Sequence, residues 1–556
     1  MQFRQMTVMP RINYDAKGLK DTYLAPEKLR VHVFEPDISG LEEGYRKALP
    51  KLLMAIGIVD DIFLVQDHPD SLSIKNLLLR ESERSEDAAD ALRVFRIFNG
   101  PEGITYSNEI VPLFSGVRPR PEGGTVYTDG ITAQELDSYL AKHPEKAAEF
   151  NKTNTIIRRA GKGFNAVPYE SEYREQLGQA ASLLIDAAND VPSASFAKYL
   201  RSRAQALVSG DYFNSDVDFV RSTDSPIDLL IGPLEEYLDR IQSKKAFYSG
   251  MVCIKDPQES RRVEQYITYV QYLEDRLPQD KGNAKDMSRI NIPVAVVDVI
   301  AMSGEFQANR PGMLIGQTLP NDEKILEKVG RKIFIYKNVL SGFKTNQEVM
   351  NRLVDPQLHR YTVPASSVNF VVGHEVSHSL GPKISNRVAN GEKVAVDQAL
   401  GFYSGIIEEL KSDLLSVYNL PYLISKGLYS EEEARGIAFY GCLSRNLPMN
   451  RPKQGKDTHA TGNLVKFNYY IAEGAVTLKD GRFYLDFDKA AVATEKMLAE
   501  VLSIQSEGNR EMAKEFIEKW SEWTSTAKYV SKTMHECGVK LYNEVLQPVA
   551  AELLRN

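Results

Sequence analysis

The stretch His374-Glu375-Val376-Ser377-His378 determines how the rest of the chain is interpreted. Its two histidines stand four residues apart, and residues at that spacing lie on one face of an α-helix. Their ring nitrogens can therefore reach a single point, where a divalent metal ion would bind. Glu375 is turned to the side of that point and can take a proton from a metal-bound water without becoming a ligand. The pattern predicts a hydrolytic metal site.

The flanking sequence predicts that these residues lie on a helix. Pro364, Ser366 and Ser367 suit the start of a helix, and Gly381-Pro382 suits its end. A chance match is a weak rival to this interpretation, because the 556 residues include only 8 histidines. We expect such a motif by chance in about one in a hundred chains of this kind.

A hydrolytic zinc site needs a third protein ligand, and an acidic segment downstream offers one. Glu409 and Asp413, four residues apart, share one face of a predicted second helix. An acidic stripe alone is usually a solvated helix face, but beside a metal-binding helix we interpret it as a source of ligands. Glu409 is predicted as the third ligand, and Glu408 or Asp413 as acceptors for a histidine N–H. The apolar residues of this helix are Leu410, Leu414 and Val417.

These motifs resemble those of the dipeptidyl-peptidase III family of zinc exopeptidases. Residues 408–413 are similar to the second motif of that family, a pair of glutamates followed by a basic residue and an acid. Residues 231–237 are similar to a segment bearing an acid and a tyrosine two apart, and residues 290–293 to an asparagine-containing cleft strand. His459 falls where the family has a further active-site histidine. The resemblance extends over roughly residues 40 to 556.

Two departures from the family pattern are visible. Most of the family has one extra residue before the final motif histidine, whereas this chain has the five-residue HExxH form, which points to a bacterial-type branch. Histidines four apart converge on a regular helix without a bulge, so the metal site is still expected. Val294 stands where many relatives have a second asparagine, and Asn463 where an arginine often follows the histidine. Subsite preferences are therefore left open.

The resemblance implies an α+β fold, predominantly helical, with two lobes across a wide cleft. A mostly helical lobe would carry the zinc site and face a mixed lobe containing a small β-barrel. We place the mixed lobe at residues 1–250, joined in space by about 288–315. The helical catalytic lobe is placed at 251–287 and 316–556. A chain of 556 residues exceeds what one hydrophobic core usually supports, which agrees with two lobes.

Hydrophobic periodicity supports this mixture of elements. Helical spacing predicts helices over residues 73–98 and 430–443. Alternating or continuous β-branched residues predict strands near 226–231, 246–254 and 289–302. A small β element is therefore expected among the helices.

The function implied by the resemblance is that of a zinc-dependent exopeptidase. It would release dipeptides sequentially from the free N-terminus of short peptides. One Zn²⁺ per chain would be held by His374, His378 and Glu409, with Glu375 as the general base. Side-chain tolerance would be broad, because a peptide added as a strand to a sheet edge is bound mainly through its backbone.

Four further residues receive roles from the resemblance. Tyr237 and His459 would donate hydrogen bonds to the oxyanion of the tetrahedral intermediate. Glu235, together with Asn291, would bind the α-ammonium group of the substrate, so that a free N-terminus is rewarded.

Two alternatives stay open at this point. The chain could be another zincin-type aminopeptidase or endopeptidase, and product lengths from a defined peptide separate these activities. It could also be a non-catalytic peptide-binding protein with a structural metal. Glu375 argues against that reading, because a closed structural site needs no base.

Composition excludes several other classes of protein. Hydrophobic residues make up 43% and charged residues 26% of the chain, and no apolar run approaches the roughly 20 residues that span a bilayer. The net charge of −7 with scattered Lys and Arg argues against nucleic-acid binding. The three cysteines are far apart, and residues 1–13 lack the apolar stretch of a secretory signal. We expect a cytoplasmic monomer or weak homo-oligomer without membrane association.

Overall fold

The computed structural model describes residues 12–105, 109–279, 285–287, 293–308, 313–322, 325, 328–342, 346–389, 392–448, 450–452, 458–538 and 540–555. The chain forms two compact units. Unit 1 comprises Met1–Lys255, Asp298–Leu314 and Lys540–Asn556, and unit 2 comprises Asp256–Val297 and Ile315–Val539. The prediction of a predominantly helical α+β fold is confirmed. Within the described ranges, no helix has the length and apolar character needed to cross a membrane.

Unit 1 is built mainly from helices that pack on one another. Its helices are Ala16–Leu19, Glu43–Asp67, Ser71–Ser82, Glu86–Phe98, Ala133–Lys142, Ala147–Phe150, Tyr169–Glu172, Arg174–Asp190, Ala194–Ser209, Phe213–Arg221 and Pro548–Leu553, with shorter turns at Lys20–Leu24, Pro144–Lys146 and Glu305–Gln307. The single helix predicted over residues 73–98 is wrong. The Ser85 side chain accepts a hydrogen bond from the Ala88 backbone N–H and thereby starts a new helix there.

The strands of unit 1 include a curled, half-barrel sheet where a small β-barrel is predicted. Ile227–Glu235 and Phe247–Lys255 pair antiparallel, with Glu235 opposite Phe247. The strand Val294–Gly304, whose residues from 298 onward belong to this unit, lies next to Phe247–Lys255. The remaining strands are Leu29–Val33, Glu102–Ile104, Ile110–Pro112, Thr155–Ala160, Gly163–Pro168 and Tyr542–Leu546.

The division into units differs from the predicted lobes at three places. Residues 251–255 belong to unit 1 and not to the helical lobe, because they continue the strand Phe247–Lys255. Residues 540–556 belong to unit 1 and not to the helical lobe, because Tyr542–Leu546 pairs in parallel with Leu29–Val33. Residues 293–297 belong to unit 2 and not to the mixed lobe, because residues 294–297 pair with Lys332–Tyr336. Pairing between strands that are distant in sequence leaves no signal in local periodicity.

Unit 2 contains the metal-binding motif and is also mostly helical. Its helices are Pro257–Ile267, Val270–Asp275, Lys337–Gly342, Gln347–Leu353, Pro364–Ser377, Val396–Leu400, Ser404–Tyr418, Leu420–Ser425, Glu431–Cys442, Thr458–Ala472, Phe487–Glu507, Arg510–Trp520 and Ser525–Glu536, with turns at Pro356–Tyr361, Gly401–Tyr403 and Ser444–Asn446. The helix predicted over 430–443 is present as Glu431–Cys442, and its first turn is held by a capping box between Ser430 and Glu433.

The strands of unit 2 form a small sheet and two hairpins. Lys332–Tyr336 pairs in parallel with the beginning of Val294–Gly304 and antiparallel with Gly316–Leu319, which lies at the edge. The hairpins are Ile384–Ala389 with Glu392–Ala395 and Val476–Lys479 with Arg482–Leu485.

Two helices at the centre of unit 2 position the motif residues. We call Pro364–Ser377 the motif helix and Ser404–Tyr418 the acidic helix. They pack closely at Gly373, where a Cβ atom would lie 3.2 Å from the Cα of Ser416. The absence of a side chain at Gly373 thus lets the backbones approach each other. The predicted apolar stripe of the acidic helix is buried in the core: Leu410, Leu414 and Val417.

Candidate metal centre and active site

The two motif histidines face each other at the end of the motif helix. His378 follows the last residue of this helix and keeps helical backbone angles, so the spacing of four residues still places both rings on one side. The Nε2 atoms of His374 and His378 lie 3.1 Å apart. His374 is buried and His378 is half-buried. The two rings therefore present nitrogens to a common point.

Glu409 of the acidic helix brings a carboxylate oxygen to the same point. Its Oε2 lies 3.1 Å from the Nε2 of His374 and 3.8 Å from the Nε2 of His378. In the part of the chain that the structure describes, these three residues offer ligand atoms that all lie within 4.8 Å of one another. This is the set of ligands predicted from the sequence.

Each histidine ring is held on its far side by a different carboxylate. The Nδ1 of His374 lies 2.7 Å from Oδ1 of Asp413, and the Nδ1 of His378 lies 3.1 Å from Oε1 of Glu408. An ionised carboxylate can only accept, so the ring nitrogen must donate in both pairs. In the neutral form of each ring, Nε2 then carries the lone pair, and this is the tautomer that binds a metal ion.

Glu408 is surrounded by donors that keep it ionised. Its Oε1 accepts hydrogen bonds from Lys383 at 2.9 Å and Lys411 at 2.8 Å, and its Oε2 accepts one from Gln505 at 2.9 Å. Burial raises the pKa of Glu408, but the charges of Lys383 and Lys411 outweigh this effect and hold it well below the usual range. Glu408 therefore stays an acceptor for His378.

Asp413 is paired in the same manner on the other side of the site. The Lys466 ammonium lies 2.5 Å from its Oδ2, and the Nε of Arg445 lies 3.6 Å from the same oxygen. Burial raises the pKa of Asp413, but Arg445 and Lys466 hold it well below its ordinary value. The charge on Asp413 is thus preserved in a buried setting, where an unpaired carboxylate would become neutral.

The arrangement at the centre fits a divalent cation. Oε2 of Glu409 is buried, and the Nε2 atoms of His374 and His378 lie 3.1 Å and 3.8 Å from it. Burial lowers the pKa of His374, but the carboxylates of Asp413 and Glu409 raise it to about 10, so the site stabilises positive charge. Two imidazole nitrogens and one carboxylate oxygen form a donor set typical of catalytic zinc.

Glu375 lies beside this point without belonging to the ligand set. It is 7% exposed, and its Oε2 accepts a hydrogen bond of 2.8 Å from the hydroxyl of Thr318 on the strand Gly316–Leu319. Its position one residue after His374 turns it away from the ring nitrogens. A buried carboxylate next to a metal ligand but outside the ligand set can act as a proton acceptor.

His459 is also brought to the metal group. It lies on the helix Thr458–Ala472, and its Nδ1 is 3.3 Å from Oε2 of Glu409. Its side chain is 52% exposed, in contrast to the buried His374. His459 therefore combines contact with the site and access from solvent, while Asn463 lies one turn further along the same helix.

Two further residues with predicted roles, Glu235 in substrate binding and Tyr237 as an oxyanion donor, lie in unit 1. Glu235 is the last residue of its strand and is buried, and Tyr237 follows it with 61% of its side chain exposed. Asn291 lies outside the described residues. Val294, the position of a family departure, is buried at the start of its strand in unit 2.

Glu236, between Glu235 and Tyr237, has a pKa that is shifted by burial and by neighbouring charges. Burial and the Asp239 carboxylate raise the pKa of Glu236 to about 7, against an attraction by Lys245. The Lys245 ammonium donates instead to the carbonyls of Phe150 and Lys152 and to Thr155. The folded state thus binds an extra proton between pH 4.5 and about 7, and stability falls as pH rises across this window.

Replacing Glu236 with glutamine is expected to remove this loss of stability with rising pH. The variant should be more stable than the wild type at pH 8, by up to about 3 kcal/mol, and the two should converge near pH 4.5. Urea unfolding at both pH values measures the difference. Glu175→Gln, at an exposed position, is the control and should change stability by less than about 0.5 kcal/mol. An equal effect of Glu236→Gln at both pH values would contradict the prediction.

Several residues of the site were not identified from the sequence. They are Thr318, Lys383, Arg445, Lys466 and Gln505, together with the role of Lys411. Lys411 had a signal, since it stands three residues after Glu408 and so lies on the same side of a helix. The others come from segments distant in sequence, and their types alone do not distinguish them from surface residues.

Comparison with known proteins adds independent findings. No protein-family model matches the chain. Nudix hydrolase 3 of Arabidopsis thaliana is 25% identical in an alignment of 575 positions, gaps included. The alignment covers 94% of this chain and 73% of that protein. The structure of DPP III from Caldithrix abyssi has a TM-score of 0.83 and 28% identity, covering 95% of this chain and 99% of that one. Dipeptidyl-peptidase III from Corallococcus sp. strain EGB has a TM-score of 0.85 and 25% identity, covering 98% and 99%.

Likeness of this degree over nearly the full length of two solved dipeptidyl-peptidases identifies the chain as a peptidase, and therefore as a hydrolase. The resemblance noted from the motifs is confirmed on this basis. The chain belongs to the dipeptidyl-peptidase III family.

Proposed function

We propose that this dipeptidyl-peptidase is a zinc-dependent exopeptidase that releases dipeptides sequentially from the free N-terminus of short peptides. The observation that carries the proposal is the meeting of His374, His378 and Glu409 at one point, with Glu375 held beside it. Three protein ligands are the number that catalytic zinc sites use, and they leave a position for water. A closed structural site would hold four ligands and need no neighbouring base.

Each residue of the centre has a distinct task in this proposal. Zn²⁺, when bound by His374, His378 and Glu409, supplies Lewis acidity for the scissile carbonyl and lowers the pKa of a water ligand. Glu375 accepts one proton from the attacking water and returns it to the departing amine nitrogen. Asp413 and Glu408 hold the imidazoles in the tautomer that leaves both Nε2 atoms free for the metal.

We assign stabilisation of the oxyanion to His459 and Tyr237. The contact of His459 with Glu409 and its partial exposure support its part in this assignment. The ring of Tyr237 is exposed, so that its hydroxyl is accessible to a ligand. Loss of one such donor typically costs about 3–4 kcal/mol of transition-state stabilisation.

Recognition of the peptide N-terminus is assigned to Glu235 and Asn291. A buried carboxylate binds an ammonium ion more strongly than an exposed one, because less water competes. An anchor of this kind explains why an exopeptidase releases products of constant length. Dipeptides would then leave the chain one after another.

The cytoplasm is the proposed location. Cys253, Cys442 and Cys537 are not joined by disulfide bonds, as expected in a reducing compartment. We also keep the proposal of a monomer or weak homo-oligomer.

The products formed from one defined peptide test this function. We expect a hexapeptide with a free N-terminus to yield the first dipeptide, then the second, in mass spectra taken over time. The N-acetylated peptide should be cleaved at least about 30-fold more slowly, because it cannot pair with a buried carboxylate. Release of single amino acids would indicate an aminopeptidase, and internal fragments an endopeptidase; either result would overturn the proposal.

A further inference from the structure

Glu375, the general base of the proposed function, is in contact with the edge strand Gly316–Leu319. Two residues of this strand lie against its carboxylate. The hydroxyl of Thr318 donates a 2.8 Å hydrogen bond to Oε2 of Glu375. Two residues earlier, a Cβ atom on Gly316 would lie 2.9 Å from Oε1 of Glu375 and 3.2 Å from its Cδ. Residues two apart on a strand share one face, so both contacts come from the same side of the strand.

The orientation of this strand is determined by its other face. Gln317, between the two residues, is buried and its Oε1 accepts a 2.9 Å hydrogen bond from the hydroxyl of Tyr336. The backbone pairs antiparallel with Lys332–Tyr336, and Thr318 stands opposite Ile333. These contacts fix which residues face Glu375.

Glycine at position 316 is explained by space and not by backbone conformation. Gly316 does not have a positive φ, so an L-residue could adopt its backbone angles. A side chain there would meet the Glu375 carboxylate at less than the distance that Cβ atoms tolerate. The missing side chain leaves room for the carboxylate, and Thr318 then determines how that carboxylate is turned.

We propose that Thr318 is a positioning residue for Glu375, selecting Oε1 as the oxygen that exchanges the proton. The inference deepens the proposed function, because it assumes that Glu375 is the base. The hydroxyl of Thr318 donates its one hydrogen bond to Oε2, and no described residue donates a hydrogen bond to Oε1. Oε1 accepts the proton of the attacking water and releases the same proton to the leaving nitrogen. Thr318 is a suitable donor because its branched Cβ restricts the hydroxyl to few rotamers.

Paired substitutions separate positioning from packing. Thr318→Val keeps the shape and removes the hydroxyl, whereas Thr318→Ser keeps the hydroxyl. We expect Thr318→Val to lower kcat about 10- to 100-fold, the range for loss of a hydrogen bond to a charged group, with KM and zinc content unchanged. Thr318→Ser should stay within about threefold of the wild type. Thr477→Val, on a half-buried strand threonine without a described side-chain hydrogen bond, is the control and should leave kcat unchanged.

Three outcomes would overturn the inference. They are an unchanged kcat in Thr318→Val, an equal loss of kcat in Thr318→Val and Thr318→Ser, and a loss of zinc from Thr318→Val. Thermal unfolding of each variant shows whether it is folded. If Thr318→Val does not fold, Thr318→Ala serves instead and should lower kcat about 10- to 100-fold with zinc retained, since it also removes the hydroxyl that donates to Oε2. Unchanged kcat in that folded variant would equally count against the inference.

Failure of the inference is distinguishable from failure of the proposed function. If Glu375→Gln is inactive and Thr318→Val is fully active, only the role of Thr318 is wrong. If Glu375→Gln itself retains its turnover, the assignment of the base is wrong whatever Thr318 does.

Discussion

Glu375→Gln is expected to retain zinc and to lower kcat by about 10²- to 10⁴-fold, the contribution of a well-placed general acid–base group. Glutamine has nearly the same shape as glutamate and can still accept a hydrogen bond from Thr318, but it cannot take up the proton of the attacking water. Because Glu375 is outside the ligand set, the metal should bind as before. Steady-state kinetics on a dipeptide-releasing substrate and metal analysis measure the two effects.

The control for this variant removes an equivalent charge elsewhere. Glu515 is exposed on the helix Arg510–Trp520 of the same unit, and Glu515→Gln should leave kcat and zinc content unchanged. Undiminished turnover in Glu375→Gln would remove the base from the proposed chemistry. Loss of zinc with loss of turnover would show that Glu375 supports the metal and would leave its role as base unsupported.

Glu409→Gln is expected to release the metal and with it nearly all activity. The substitution replaces a charged ligand by a neutral amide at a point where two imidazole lone pairs meet. Adding zinc raises the melting temperature of a protein that binds it, by an amount that grows with the ratio of zinc concentration to Kd. We expect this stabilisation for the wild type and its absence for Glu409→Gln at the same zinc concentration.

The neighbouring residue on the same helix provides the matched comparison. Glu408 holds His378 without facing the metal, so Glu408→Gln should weaken zinc binding by only about 10- to 100-fold. Competition with a chelator gives both affinities, and the melting temperature of each metal-free variant shows that it is folded. Zinc affinity in Glu409→Gln equal to that of the wild type would refute Glu409 as a ligand. An equal loss in both variants would show that the two glutamates do not have the distinct tasks assigned to them.

The grouping of His374, His378 and Glu409 was predictable because all of its determinants are local. In the motif helix and the acidic helix, the residues that share one face can be recognised within about four turns of sequence. The spacing of His374 and His378 shows this face in the first helix, and the spacing of Leu410 and Leu414 shows it in the second. The start of the motif helix at Pro364 was equally visible. The class of enzyme and the family followed from those motifs, and the comparisons confirm both.

Other parts of the prediction depended on contacts that local patterns do not encode. The transfer of residues 540–556 to unit 1 depends on strand pairing across more than 500 residues, from Leu29 to Tyr542. The break between Ser82 and Glu86 depends on one serine whose side chain caps the second helix. Asn291 lies outside the described residues, and its role in binding the substrate α-ammonium group stays a prediction.

Spacing along the chain was sufficient to predict that the two histidines and Glu409 come together with Glu375 beside them, since a helix converts a distance of four residues into a common face. The folded chain alone decided which carboxylate turns which imidazole, which lysines keep those carboxylates charged, and which hydroxyl holds Glu375. Lys466 and Thr318 reach the centre from segments more than 50 residues away from the groups they contact. Such meetings arise from the packing of whole elements against one another, and no window of sequence short enough to show periodicity contains both partners.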